Sequence, residues 1–223
     1  MSSGKRCIVS VGSGNWYPKG INRLKRSLIY HGFDGTTFLW KELPPNCPKH
    51  SEIPYAFKIY AIQEAIEMGY ETILWLDCSA WCIANPEPLF DHIQQHGYYL
   101  STSGYNCSQT CNDAILDNFG LTRDEALNIP DSASGAVGLF LSSPIAKQFF
   151  LDWMQSMERG DFNGSRNHDL QSHDSRFMFH RQDQSAASLI AHGLGMDLTP
   201  PNILTGYYQK EMPESMVFCY RGM

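Results

Sequence analysis

Asp77 and Ser79 are the residues of this 223-residue chain whose types and setting first suggest chemistry. They follow the apolar run Thr72-Ile73-Leu74-Trp75-Leu76, which is bounded by Glu71 and Asp77 and is too short for a typical helix. Such a run reads as a strand buried on both faces. A carboxylate then stands at the strand's C-terminal end, the edge where ligands bind in open α/β sheets because the departing loops form a crevice. Residues two apart on extended backbone point to one side. An Asp-x-Asp here would grip a divalent ion on hard oxygens while the ion also touches the two phosphates of a nucleotide. With serine at position 79 the second ligand is a neutral hydroxyl, acting through water or leaving the metal weak or absent. A simple strand-end cap explains Asp77 equally well.

Other groups invite similar questions. Gly12-Ser13-Gly14 follows a predicted first strand over Arg6–Val11, and a glycine-rich turn there lets a base, ribose or phosphate approach the backbone. A dinucleotide fingerprint needs a third glycine where Tyr17 stands, which disfavours a nicotinamide-dependent oxidoreductase and leaves an ordinary turn as the competing reading. Cys78-x3-Cys82 and Cys107-x3-Cys111 are spaced more widely than structural zinc usually prefers. His168 and His173, with Asp169 and Asp174 beside them, read as solvated loop residues. His180, Arg181 and Asp183 stand where strand-like Phe177-Met178-Phe179 turns into a helix, and Asp183 there is either a functional carboxylate or a helix N-cap.

The elements that must position these residues follow from periodicity and punctuation. A helix is predicted over Ile21 to His31, closed by Gly32, then a strand Thr36–Trp40. Pro54 to Met68 reads as a helix that opens on proline and stops at Gly69, with Ile59, Ile62 and Ile66 on its buried face. Lys58 projects close to that stripe, where a cation costs energy unless its head reaches solvent or an anion. Snorkelling to solvent is the simpler expectation. A helix from Leu89 to Gly97, a strand over Tyr98–Thr102 and a helical turn at Arg123–Leu127 come next. Asp131 is expected just before a strand, Ser134–Leu141, that opens with small residues, as a surface packed close to a ligand requires. Helices over Pro144–Met157 and Ala186–His192, a polar loop over 160–175 and a final strand or arm over Met216–Arg221 complete the chain.

The length suits one α/β domain with a substantial core. Seventeen Lys and Arg against 23 Asp and Glu give a net charge of -6, with the basic residues scattered. That argues against nucleic acid or an anionic membrane as the partner, while leaving room for a phosphate-bearing small molecule whose charge a metal offsets. No run of about 18 apolar residues appears, so no membrane insertion is expected, and the N-terminus does not resemble a signal peptide. Seven cysteines, an odd number, fit a reducing, cytoplasmic setting better than a secreted disulfide framework.

The order of these features resembles the GT-A-fold glycosyltransferases from Arg6 to about His192. The features are a first strand with a nucleotide-facing loop, Lys58 on a helix, a strand ending in Asp77-Cys78-Ser79, the small-residue strand Ser134-Gly135-Ala136-Val137-Gly138, and Asp183-Gln184. The last pair is similar to the Asp-Gln of glycogenin-like members. The compact length also looks like the small glycosyltransferase domain with which chlorella viruses decorate their capsid protein, a likeness that would imply the host cytoplasm and viral capsid glycosylation.

The resemblance implies a single GT-A-like, Rossmann-like α/β domain over 1–223, with a mixed, mostly parallel central sheet flanked by helices. Residues 1–102 would bind the nucleotide, and residues 103–223 would bind the acceptor and carry catalysis. It implies transfer of a hexosyl or deoxyhexosyl group from a nucleotide-sugar donor, with uridine favoured, to a glycan or glycoprotein acceptor. Mn2+ or Mg2+ would sit at Asp77 and Ser79. Donor-binding candidates are Gly12, Ser13, Trp16, Tyr17, Trp40, Lys58, Asp77, Cys78, Ser79 and Arg221; the aromatic residues would stack on the base and Arg221 would meet phosphate. Ser134, Gly135, His180 and Gln184 are the acceptor-binding candidates. Asp183 is the catalytic candidate beside the sugar and Asp131 its reserve, with retention of configuration slightly favoured. A nucleotide-sugar-binding module without catalysis is the alternative that Ser79 keeps open.

Overall fold

The computed structural model describes residues 5–164 and 172–220. The chain opens with strand β1 (Arg6–Val11), helix α1 (Tyr17–Tyr30), strand β2 (Thr36–Trp40), helix α2 (Ala56–Glu67) and strand β3 (Thr72–Leu76). These crossovers lay β1 parallel to both β2 and β3. A short strand β4 (Ala80–Cys82) and helix α3 (Glu87–His96) lead to the long strand β5 (Tyr98–Asn106). Short helices α4 (Cys107–Thr110), α5 (Asp113–Asn118) and α6 (Arg123–Ala126) cross to strand β6 (Pro130–Phe140). Helices α7 (Pro144–Arg159) and α8 (Asp183–Gly193) and strands β7 (Thr205–Tyr207) and β8 (Phe218–Tyr220) follow. The central sheet has the order β2-β1-β3-β6-β5, in which β6 runs against the others, and β4-β8-β7 form a smaller sheet. The expected mixed, mostly parallel sheet flanked by helices is present.

Strand alternation divides the core. Ile73 and Trp75 face one side of the sheet, where they pack with residues of α2, α7 and α8; Leu74 and Leu76 face the other, against Leu24 and Leu28 of α1 and Leu89, Phe90 and Ile93 of α3. All five residues of β3 are buried, and each large apolar side chain taken from water contributes roughly 1.5–3 kcal/mol. This two-sided burial fixes the register of the strand that ends at Asp77, because a one-residue slip would exchange its two faces.

Several local expectations are corrected. Helix α1 begins at Tyr17, four residues before the predicted start. Pro54 lies in a turn outside α2, whose entry residue Tyr55 takes a left-handed conformation, φ 59°. The strand containing the small residues starts at Pro130, because β5 and β6 stay paired as far as Asn106 opposite Pro130. Asp131 is therefore inside β6, not ahead of it. Phe177-Met178-Phe179 is not a strand. The N–H groups of Met178 and Phe179 both donate to the Gln109 carbonyl, so this segment docks on α4. Helix α8 begins at Asp183, three residues before the predicted start, and the first candidate for capping it, Asp183, is instead its first residue behind Gln182. β4, β7, α4 and α5 have too few residues to show a period and were not predicted. Arg221, His168 and Asp169 lie outside the described residues.

Gly138, in the middle of β6, has no room for a side chain. A Cβ there would stand 2.5 Å from Cγ1 of Ile93 and 2.9 Å from Cβ of Tyr99. Gly138→Ala should overpack the interface between α3 and the sheet and destabilise the protein by about 1–3 kcal/mol. Urea unfolding checks this; an unchanged midpoint would mean that α3 moves aside freely.

Candidate active site

The ends of four elements meet beyond β3. The Asp77 N–H donates to the Gly135 carbonyl at 2.8 Å, extending the antiparallel pairing in which Leu76 lies opposite Ala136. Ser134 and Gly135 of β6 thus stand beside the Asp77 carboxylate. Space there is tight, since a Cβ on Gly135 would lie 3.3 Å from Cε1 of Tyr220 and 3.6 Å from Oδ2 of Asp77. The first turn of α2 adds Lys58, and the first turn of α8 adds Asp183 and Gln184.

Lys58 is only 1% exposed, which overturns the expectation of snorkelling. Its Nζ donates to the Ser134 carbonyl at 3.0 Å and to Ser134 Oγ at 2.9 Å. It also lies 2.8 Å from Oδ2 of Asp183 and 3.3 Å from Oδ1 of Asp77. The tertiary fold brings two carboxylates within reach, so the ammonium is stabilised where it stands. Burial pushes the Lys58 pKa down, but the charges of Asp183 and Asp77 outweigh that and hold it above the ordinary lysine value. Burial raises the Asp183 carboxyl pKa, against the opposing pull of Lys58. Asp183 therefore spends its carboxylate on Lys58 and not on capping α8; Gln182 ahead of it sits at φ 54° and ψ -115°. Positive φ at Gln182 and at Tyr55 marks local backbone strain at both helix entrances.

Asp77 borders three cavities. One, of about 330 Å3, is enclosed by Val11, Gly12, Ser13, Tyr17, His50, Tyr55, Phe57, Cys78 and Ser79. A polar one of about 160 Å3 is lined by Tyr55, Lys58, Ser134, His180, Arg181, Gln182, Asp183, Gln184 and Tyr207. The largest, about 730 Å3, runs from Asp77 and Ser79 past residues 101–105, Gly135, Phe179, Arg181 and Gln184 to β7 and Tyr220.

Gly12, Ser13, Tyr17, Cys78 and Ser79 thus gather at one cavity, and Lys58, Ser134, His180, Asp183 and Gln184 at another. Gly12 is required by its own fold, since a Cβ would stand 2.6 Å from Cγ1 of Ile21 and 2.7 Å from the Tyr17 carbonyl oxygen. Trp16 is 68% exposed, with the Lys19 ammonium over its ring, and lines none of the three cavities. Trp40 stacks on Phe38 at the edge of the core, also away from them. The His180 imidazole is fully buried; Nδ1 faces the Asn112 N–H at 3.4 Å and Nε2 faces the Asp161 carbonyl at 3.1 Å. Asp131 is fully buried beneath the cavity floor, where its carboxylate accepts from Ser103, Thr110, Gln184 and Ser188. Sequence reading did not select His50, Tyr55, Phe57, Arg181, Tyr207 or Tyr220 as site residues. Only Arg181, beside Asp183, carried a local signal.

A divalent ion has one opening here. Oδ1 of Asp77 already accepts from Trp75 Nε1 at 3.1 Å and pairs with Lys58, while the side chain is 37% exposed toward the cavities. Among the described residues no three His, Cys, Asp or Glu side chains converge on a common point. Residues 77–80 form a tight turn, with the Ala80 N–H donating to the Asp77 carbonyl at 2.8 Å, and not the extended backbone expected, so strand alternation does not set the two side chains of Asp77 and Ser79 on one side. Both nevertheless line the same two cavities, and a carboxylate oxygen and a hydroxyl suit an ion such as Mg2+ or Mn2+ that keeps waters and takes its other oxygens from substrate phosphates. They do not form a cage that would retain such an ion alone.

The chain as a whole superposes on solved structures. The bifunctional glycosyltransferase WbbM superposes with a TM-score of 0.54 and 10% identity over 93% of this chain, which spans 40% of that protein. Mouse xyloside xylosyltransferase 1 superposes at 0.50, with 11% identity over 92% of this chain and 88% of that one. The galactosyltransferase LgtC, solved with donor and acceptor sugar analogs, also gives 0.50, with 11% identity over 91% of this chain and 75% of that one. The fold is that of the GT-A glycosyltransferases. A glycosyltransferase involved in glycosylating the major capsid of PBCV-1 aligns over 71% of this chain at a TM-score of 0.39, too loose a likeness to carry an argument. No protein-family model and no curated protein matches the sequence.

Replacing Lys58 by methionine keeps the volume and removes the charge, leaving a buried carboxylate without its cation. Lys58→Met should cost about 3–5 kcal/mol. In the native protein the Lys58 contribution is complete below the ordinary lysine pKa and is lost as pH climbs through the raised folded value. In the variant, burial and the Asp77 charge act on Asp183 with only the Ser134 hydroxyl, and no cation, to oppose them, so its pKa rises further and the folded state takes up a proton on acidification before the unfolded chain does. The deficit should shrink between about pH 7 and about pH 5. Urea midpoints at the two pH values test this, and a deficit that is constant or grows on acidification would contradict it.

Proposed function

We propose that the protein transfers a sugar from a nucleotide-diphosphate donor, with UDP the favoured carrier, to a hydroxyl of a glycan or glycoprotein. The observation that carries this reading is the position of Asp77 at the junction of three cavities of different chemistry. The cavity at Gly12 and Ser13 offers aromatic faces at Tyr17, Tyr55 and Phe57 for a base. The diphosphate would cross Asp77 and Ser79, the donor sugar would take the small polar cavity, and the acceptor the large one. This division supports a nucleotide-binding half over 1–102 and an acceptor-binding half over 103–223.

Mg2+ or Mn2+ held by Asp77 and Ser79 on the donor's phosphates would supply Lewis-acid stabilisation of the leaving diphosphate. The chain's own residues do the rest. Lys58 fixes Asp77 and Asp183 relative to one another, and its charge lies where negative charge grows as the glycosidic bond lengthens. Asp183 and Gln184 border the sugar cavity and orient its hydroxyl groups. Asp183 is committed to Lys58 and Asp131 is sealed among four hydrogen bonds, so neither carboxylate is free to take the acceptor proton. That favours a front-side, retaining transfer in which the departing phosphate accepts it. Seven free thiols favour a reducing, cytoplasmic site of action. Among the described residues no helix is long and apolar enough to cross a membrane.

Calorimetry against UDP, GDP and ADP, each with and without Mn2+, tests the reading. UDP should bind, and Mn2+ should strengthen it at least about tenfold while binding weakly alone; failure of every nucleotide and nucleotide sugar to bind would sink the proposal. Asp77→Ala should abolish the Mn2+-dependent part of binding. Asp183→Asn should spare much of the donor affinity while slowing UDP release from a UDP-sugar by about a hundredfold or more. Tight donor binding with neither transfer nor hydrolysis in the native protein would instead identify a binding module, the reading that Ser79 favours.

A further inference from the structure

The large cavity is lined mostly by neutral residues, with rings at Tyr105, Phe179, Tyr207 and Tyr220, and among the described residues Asp77 and Arg181 are the charged ones that line it. Asp77 stands at the donor end. Arg181 lines both this cavity and the small polar one and is built into place. Its guanidinium lies over the Phe179 ring at 5.5 Å, and Tyr105 meets the same ring edge-on at 5.4 Å. Its Nη2 donates to Oε1 of Gln184 at 2.8 Å. Gln184 is fixed in turn, because its Nε2 donates to the fully buried Asp131 carboxylate at 2.6 Å.

Among the described residues no carboxylate forms a direct ion pair with this guanidinium, and the nearest charge named for it, Asp131, acts on it through space from behind Gln184. The partner that Arg181 touches is a neutral amide, and the Asp131 charge behind that amide is already shared among hydroxyl and amide donors. A guanidinium fork held on an aromatic face and bordering a cavity matches the planar oxygens of a carboxylate or phosphate. The neighbouring Tyr105 and Phe179 rings suit the apolar face of a sugar.

We propose that the acceptor is a saccharide bearing an anionic oxygen group, a uronic acid carboxylate or a phosphate ester, and that Arg181 selects it. The proposal rests on the glycosyltransferase reading of the same site. Its test begins from protein saturated with UDP and Mn2+, so that the donor site is blocked and a failure of nucleotide binding is recognised separately. Titration calorimetry or saturation-transfer NMR then compares glucuronic- and galacturonic-acid-terminated oligosaccharides, sugar-6-phosphates and their neutral parents. The anionic members should bind about tenfold tighter or more, with the uronate and phosphate arms distinguishing the two groups. Arg181→Gln should erase that preference, and Arg181→Lys should restore part of it. No anionic preference in the native protein overturns the proposal. So does an Arg181→Gln variant that keeps the preference and loses UDP affinity, a result that would assign the guanidinium to the donor's diphosphate.

Discussion

The buried ammonium of Lys58 is the interaction on which the rest of the site depends. A cation removed from water needs close anionic and hydrogen-bonding partners. Here Asp77 at the end of β3, Ser134 in β6 and Asp183 at the start of α8 supply them. Those three come from distant stretches of the chain, and Lys58 itself enters on α2. The charge cluster therefore ties four elements together at the point where the cavities join. It also limits the chemistry, because two acidic side chains beside the small polar cavity, Asp77 and Asp183, are already engaged with Lys58.

Reversal of β6 against a parallel core makes this meeting possible. An antiparallel neighbour brings the first half of β6 to the end of β3, so small residues face the exit of the strand that leads to Asp77 and Ser79. Ser134 and Gly135 keep that junction narrow without closing it, with Tyr220 of the second sheet forming its far wall. Within β6 sits a second buried carboxylate, Asp131, whose hydrogen bonds reach β5, α4 and α8. Asp183 holds the Lys58 cluster beside the small polar cavity, and Asp131 supports Gln184 on the wall of the large one.

Local signals located the strands and the long helices because their apolar periods come from packing on both faces of one sheet. β1, β2 and β3 agree with their predicted limits, since each is a short run bounded by polar or turn-forming residues. The stretch 103–130 was poorly legible, as helices of four to six residues such as α4 and α5 complete too few turns to show a face. β4 and β7 escape for a related reason: strands of three residues are stabilised by their partner across the small sheet, β8, and not by their own pattern.

The sequence by itself determined that a carboxylate ends a two-sided buried strand and that a lysine, a small-residue strand and an Asp-Gln pair occur in an order resembling one enzyme superfamily. Those are properties of hydrophobic runs and residue types, and they are written locally. Only the tertiary structure decided that Lys58 is a buried ion-pair partner and not a snorkelling surface residue, that Asp183 turns to it and does not cap its helix, and that Arg181 borders the largest cavity. Charge, burial and partner are set jointly by elements far apart in the chain, so no spacing within any one of them could have revealed which carboxylate the lysine would meet.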